Sequence, residues 1–187
     1  MKEIFTALDN FQYFYPYTVN IVGATSSEGR FNGMACAWHT ALSFDPPLFG
    51  VLISKKRLTH TVISEAGEFT VNFLSADSVK LSAQMGRKSG HDMDKVEEFN
   101  VELAPAKKIQ SPVLAHAYAC LECNLIDIRA YGDHDLFVGE VLAVHTDKDS
   151  FGPDGVLNTR HTQPLLYLGS DLYITVNPDS LKHVVPD

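Results

Sequence analysis

The sequence predicts a mainly β protein, one domain over residues 1–187 with a few short helices. Three observations carry this. Glu68–Leu74 alternates Phe69, Val71 and Phe73 with Thr70 and Asn72, the period of a strand with one buried face. Tyr118–Ala130 and Leu136–Thr146 are long extended runs separated by Tyr131-Gly132-Asp133-His134-Asp135, a turn composition. Tyr17–Ala24, rich in β-branched residues, passes through Ser26–Arg30 into small residues from Gly33 to Thr40, which reads as a hairpin.

Taken in order, residues 1–16 form a lead-in with a short helix, ending at Pro16, and the first hairpin follows. Asp45-Pro46-Pro47 then breaks the chain, because successive prolines lack N–H donors and hold their predecessors extended. Leu48–Ile53 reads as a buried strand, and Ser54 with Lys55, Lys56, Arg57, Thr59 and Thr61 opens a helix running through Ala66. After the Glu68 strand, Val79–Met85 has helical character, Gly86–Lys95 is a polar loop, and Val96–Phe99 is too short to assign. Pro105, Lys107, Lys108 and Pro112 mark a connection. The two long strands are apolar on both alternating faces, Leu121, Cys123 and Leu125 against Ile126 and Ile128, so a subunit partner is expected to cover one of them. A surface loop spans 147–164, and Leu165–Leu168 and Leu172–Val176 supply the last strands.

Composition excludes several classes. A formal charge of −8 argues against a nucleic-acid surface. No apolar run reaches the roughly 18 residues of a membrane span, and Met1–Phe5 lacks a signal-peptide hydrophobic region, so a cytoplasmic location is the expectation. Three cysteines do not suggest a disulfide framework. Cys120 and Cys123 have zinc or dithiol spacing, yet positions i and i+3 of a strand face opposite ways and no second pair completes a tetrahedral site. No metal is expected. There is no Gly-x-Ser-x-Gly elbow, Gly-x-Gly fingerprint or phosphate-binding Gly-x-x-x-x-Gly-Lys loop, so any nicotinamide nucleotide must bind in another way.

The chemistry concentrates between Asn32 and Lys95. Small residues ending in the chain's single Trp, Trp38, allow a flat ligand such as a flavin to approach the backbone beside one large apolar side chain. The plainer reading of that stretch is a packed strand with a core Trp. Downstream, Ser54, three cations and two hydroxyls suit a phosphate. Seven of the 15 Lys and Arg residues fall between Lys55 and Lys95, which fits one anion-binding region in an acidic chain.

Five blocks in a fixed order decide between these readings: Asn32-Gly33-Met34, Ser43 with Asp45-Pro46-Pro47, Arg57 with Thr59, Ser89–Lys95, and Gly132-Asp133-His134. Together they resemble the flavin reductase-like family, which includes flavoredoxins and the reductase components of two-component monooxygenases. The resemblance implies an FMN-binding split β-barrel, which Leu165–Leu168 and Leu172–Val176 are expected from their place in the chain to close, and a homodimer with flavin sites near the interface. It implies that NADH or NADPH reduces FMN by hydride transfer to flavin N5, with a monooxygenase or electron-transfer protein as a possible downstream partner. Two other roles remain open at this point: a flavoredoxin-like electron carrier, and a flavin-binding or storage module without turnover. Position by position, it assigns Asn32, Gly33, Met34 and the backbone of Ala35, Cys36, Ala37 and Trp38 to the isoalloxazine and ribityl chain. Ser54, Arg57, Thr59, Ser89 and Lys95 fall to the phosphate end, Tyr167 to the rim, and His134 to the flavin face as the catalytic residue. Met34 stands where relatives often carry Thr, and His91 where Arg is common.

Overall fold

A computed structural model describes residues 2–8 and 11–184. Its strands are β1 (Tyr17–Thr18), β2 (Asn20–Thr25), β3 (Phe31–Cys36), β4 (His39–Phe44), β5 (Pro47–Ser54), β6 (Glu68–Phe73), β7 (Leu103–Ala104), β8 (Val113–Leu114), β9 (Ala119–Tyr131), β10 (His134–Thr146), β11 (Leu166–Gly169) and β12 (Leu172–Ile174). The α-helices are α1 (Leu58–Ala66), α2 (Val79–Arg87) and α3 (Lys95–Glu98), and a short 3₁₀ turn covers Gln12–Phe14.

Seven strands form one sheet in the order β3-β2-β6-β9-β10-β5-β4. Its two edge strands, β3 and β4, are consecutive in the chain, and only Ala37 and Trp38 lie between Cys36 and His39. With Cα atoms about 3.8 Å apart along the chain, the edges must curl toward each other at this seam. The sheet therefore wraps into a barrel tied at one end, a split barrel. Leu52 N–H donates to the Trp38 carbonyl at 2.9 Å and fastens the seam to β5.

Two apolar clusters occupy opposite faces of the β2–β3–β6 wall. One gathers Val22, Val51, Ile53, Phe69, Val71, Cys123 and Phe137, with Val62 and Ile63 of α1 laid into it. The other sets Ile21, Leu74 and Met85 of α2 against Val113, Leu114 and Leu165. Phe69 and Phe137 are fully buried, each stabilising the fold by about 1.5–3 kcal/mol. Gly67, in the left-handed region at φ 68°, ends α1 by donating its N–H to Ile63 O.

Three expectations are corrected. The run from Gly33 to Thr40 is two strands, because the chain must leave one sheet edge and enter the other. The strands at Leu166 and Leu172 do not close the barrel but pair with each other, and the first of them with β1, in a separate three-stranded sheet. His134 is not in the turn: Gly132, at φ 67°, and Asp133 make it, and His134 is the first residue of β10, paired with Tyr131 and Ser54. Val96–Glu98, left unassigned from sequence, lies in α3.

Candidate functional site

The seam, α2 and the β11–β12 turn enclose a cleft of about 220 Å³. Ala35, Cys36 and Ala37 form one wall, and Ser82, Ala83 and Gly86 of α2 face them. Small residues on both sides leave backbone accessible to a flat ring. Tyr167 and Tyr173 stand together at one side with ring centroids 5.1 Å apart. Arg87 and Asp171 form a bidentate ion pair there, with Nε to Oδ1 at 2.7 Å.

Arg57 lines this cleft and also a smaller cavity of about 40 Å³, which contains Asn32, Met34, Thr59, Ser89 and Lys95. Local structure explains the convergence. Asp94 caps α3 by accepting from Val96 and Glu97 N–H, which places Lys95 in the first turn, facing inward. Gly90 lets the Ser89–Lys95 loop press on β3, since a Cβ there would lie 2.1 Å from Asn32 Oδ1. Asn32 is held in turn by donating from Nδ2 to Thr59 Oγ1 at 2.7 Å.

Lys95 is only 5% exposed, and its ammonium donates to the Met85 carbonyl at 3.1 Å. Burial, and then the charge of Arg57, push it down to about 8. Among the described residues no carboxylate forms an ion pair with Lys95 or Arg57; the basic side chains that do are Arg30, Lys55, Arg87, Arg129 and Arg160, with four histidines. Four cations, Lys56, Arg57, Lys88 and Lys95, and two hydroxyls, Thr59 and Ser89, around one small cavity form a donor set for a dianion such as phosphate.

His134 and Trp38 meet at the seam, ring centroids 4.9 Å apart. Nδ1 of His134 donates to Asp133 Oδ1 at 2.9 Å, and that bond holds the Asp133 carboxyl below its usual range. Asp135 turns the other way, accepting from His60 Nε2 at 2.9 Å and approaching Lys55 at 3.5 Å. The imidazole of His134 is thus oriented by one neighbour, and neither it nor Trp38 lines either cavity.

Other assigned residues are arranged differently. Gly33 faces Ile21, Phe31 and Met85 and lines neither cavity; it lets α2 pack against β3. Cys36 directs its thiol into the barrel, donating to Trp38 O at 3.3 Å, and burial pushes it up to about 12. Ser54 also lines neither cavity and serves the turn by accepting from Arg57 N–H at 3.0 Å. Sequence reading missed Ser82, Gly86, Arg87, Asp171, Tyr173 and Lys88. Gly86 falls just outside the helix expected over Val79–Met85, so its i, i+4 pairing with Ser82 emerges only with α2 running to Arg87.

The model of the flavin reductase like domain matches residues 12–174. The chain belongs to the flavin reductase-like family. An NADH-dependent FMN reductase, SmoA of Agrobacterium fabrum, is 37% identical over 133 residues, 70% of this chain and 71% of that one. An FMN-binding protein from Thermus thermophilus, solved with bound 1-cyclohex-2-enone, matches at TM-score 0.86 and 33% identity, covering 100% of this chain and 99% of that one. Flavoredoxin from Methanosarcina acetivorans matches at TM-score 0.84 and 28% identity over 95% and 92% of the two chains. The flavin reductase-like domain thus extends over both cavities and the seam.

Proposed function

We propose that the protein binds FMN and reduces it with NADH or NADPH. The observation that carries this reading is the buried Lys95 and the exposed Arg57 sharing a cavity with Thr59 and Ser89 at the end of a cleft walled by Ala35–Ala37. The residues fit the group: cations and hydroxyls meet a phosphate, and small residues with Tyr167 meet a flat ring. Flavin, when bound, supplies hydride-accepting chemistry at N5. Arg57, Thr59, Ser89 and Lys95 hold the phosphate, and Asn32 with the backbone from Met34 to Ala37 holds the ribityl chain and ring. His134, fixed by Asp133, positions the nicotinamide, and the tyrosines and Trp38 exclude water from the reacting rings.

The catalysed step needs no covalent residue, because positioning two rings at near-attack distance removes most of the entropic barrier. The apolar residues Leu42, Phe44, Ile126, Ile128, Leu142 and Val144 on β4, β9 and β10 are exposed, and a homodimer covers them in this reading.

A second reading, an FMN electron carrier serving a protein partner, is supported by the near full-length likeness to a flavoredoxin. Steady-state oxidation of NADH and NADPH, with and without free flavin, tests both. Sustained turnover supports the reductase; tight FMN binding with no nucleotide oxidation overturns it in favour of the carrier.

A further inference from the structure

The segment before β1 is bound to the seam and to the cleft rim by side chains that neither cavity explains. Trp38 Nε1 donates to Tyr15 Oη at 3.1 Å. Phe11 packs edge-on against Trp38 at 5.0 Å, and His134 contacts the same indole at 4.9 Å. Tyr15 lies 5.7 Å from Tyr167, which itself lines the cleft. Gln12 Nε2 donates to Ser170 Oγ at 2.9 Å, and a Cβ on Gly169 would lie 2.6 Å from Gln12, so the segment sits close against the β11–β12 turn. Phe11, Tyr15, Trp38, Tyr167 and His134 therefore form a continuous aromatic rim beside the cleft.

We propose that Phe11 and Tyr15 are positioning residues for the nicotinamide ring, by capping Trp38 and fixing Tyr15 against Tyr167. This rests on the reductase reading above. A flat ring entering beside His134 meets the Trp38–Tyr15 unit, whose rigidity comes from the indole hydrogen bond and the edge contact of Phe11. Removing either leaves the cations, the hydroxyls and the Ala35–Ala37 wall in place, so FMN affinity is retained while the second ring loses its wall.

The test uses full-length Phe11→Ala and Tyr15→Phe, with Phe11→Tyr as the conservative variant. Trp38 is the only Trp, so its fluorescence in the flavin-free protein reads the rim directly. Iodide quenching of Trp38 should rise in Phe11→Ala and Tyr15→Phe and stay at the wild-type level in Phe11→Tyr. The FMN-loaded Phe11→Ala and Tyr15→Phe proteins should show KM for NADH or NADPH raised about tenfold, as expected for a mispositioned reactant, with FMN affinity unchanged. Unchanged iodide quenching, or increased quenching with unchanged KM, overturns the proposal. If wild type oxidises neither nucleotide, the reductase reading falls separately. The rate of reduction of bound flavin by dithionite then decides: faster reduction in the two variants supports a wall over the ring, and equal rates overturn it.

Discussion

Lys95 is an ammonium that the fold buries beside a guanidinium, so its energetics depend on what else is bound. Unfolded, it keeps its proton up to about 10.5; folded without flavin, it releases it near 8. Between those values the unfolded chain holds more protons, so the flavin-free protein should gain stability as pH rises from about 8 to about 10.5. The FMN phosphate requires the charged form, so affinity should fall over the same interval. Thermal melts and flavin titrations of wild type and Lys95→Met should show these opposite trends in wild type and lose both in the variant. At neutral pH, Lys95→Met should weaken FMN by roughly 10- to 150-fold, one hydrogen bond to a charged group, and leave riboflavin nearly unaffected. Equal losses for both ligands would refute the phosphate assignment. His134→Ala should slow flavin reduction by NAD(P)H roughly 10- to 100-fold in stopped flow, with FMN affinity intact. A limiting rate equal to wild type would leave His134 as a strand-end residue only.

At the scale of elements, two glutamates hold the 105–112 connection. Glu122 on β9 is fully buried and accepts from the N–H groups of Lys107, Lys108 and Ile109 and from His145. Burial pushes its carboxyl up, but those hydrogen bonds outweigh it and hold it below the ordinary range. Glu68 on β6 accepts from Gln110 and Ser111 N–H at 3.0 and 2.7 Å. Glu122→Gln should destabilise the protein by about 2–3 kcal/mol at pH 7, measured by denaturant unfolding, through one charged acceptor lost. That loss should shrink as acid protonates Glu122 in wild type, because a depressed carboxyl stabilises only above its folded value. A pH-independent difference would show that packing, and not charge, sets the loss.

These elements also show what the sequence disclosed. Alternation in β6, the break at Asp45-Pro46-Pro47 and the length of β9 and β10 were legible because each is a local pattern. The cation-rich region was legible as local composition, whereas only the resemblance carried by Ser89–Lys95 singles out Lys95. The seam, the second sheet and the place of His134 were not, since each depends on which distant strands pair, and pairing leaves no period in the chain. Gly33, expected at the ring, instead admits Met85, a contact between elements 52 residues apart by the numbers 33 and 85.

For the whole molecule, exposed Leu42, Phe44, Ile126, Leu142 and Val144 argue for self-association. Phe44, fully exposed on edge strand β4, is the informative position. Phe44→Asp with Val144→Lys should convert a dimer to a monomer at micromolar concentration in light scattering. A wild type already monomeric there would remove the dimer.

The seam at Ala37 and Trp38 also bears on how long the protein stays folded. Each edge strand first pairs with its hairpin neighbour, β3 with β2 and β4 with β5, and those contacts are local. The two hairpins are tethered at the seam from the start, but the pairings that fix them on either side of it, β2 with β6 and β5 with β10, join distant parts of the chain, so the geometry of the seam is expected to settle late, after the folding barrier. A ligand gripping both sides of such a junction acts on escape from the native state and not on its formation. FMN should therefore slow unfolding in stopped-flow denaturant jumps while the refolding rate stays constant, and the holoprotein should owe its longevity to a clasp that folding itself does not need.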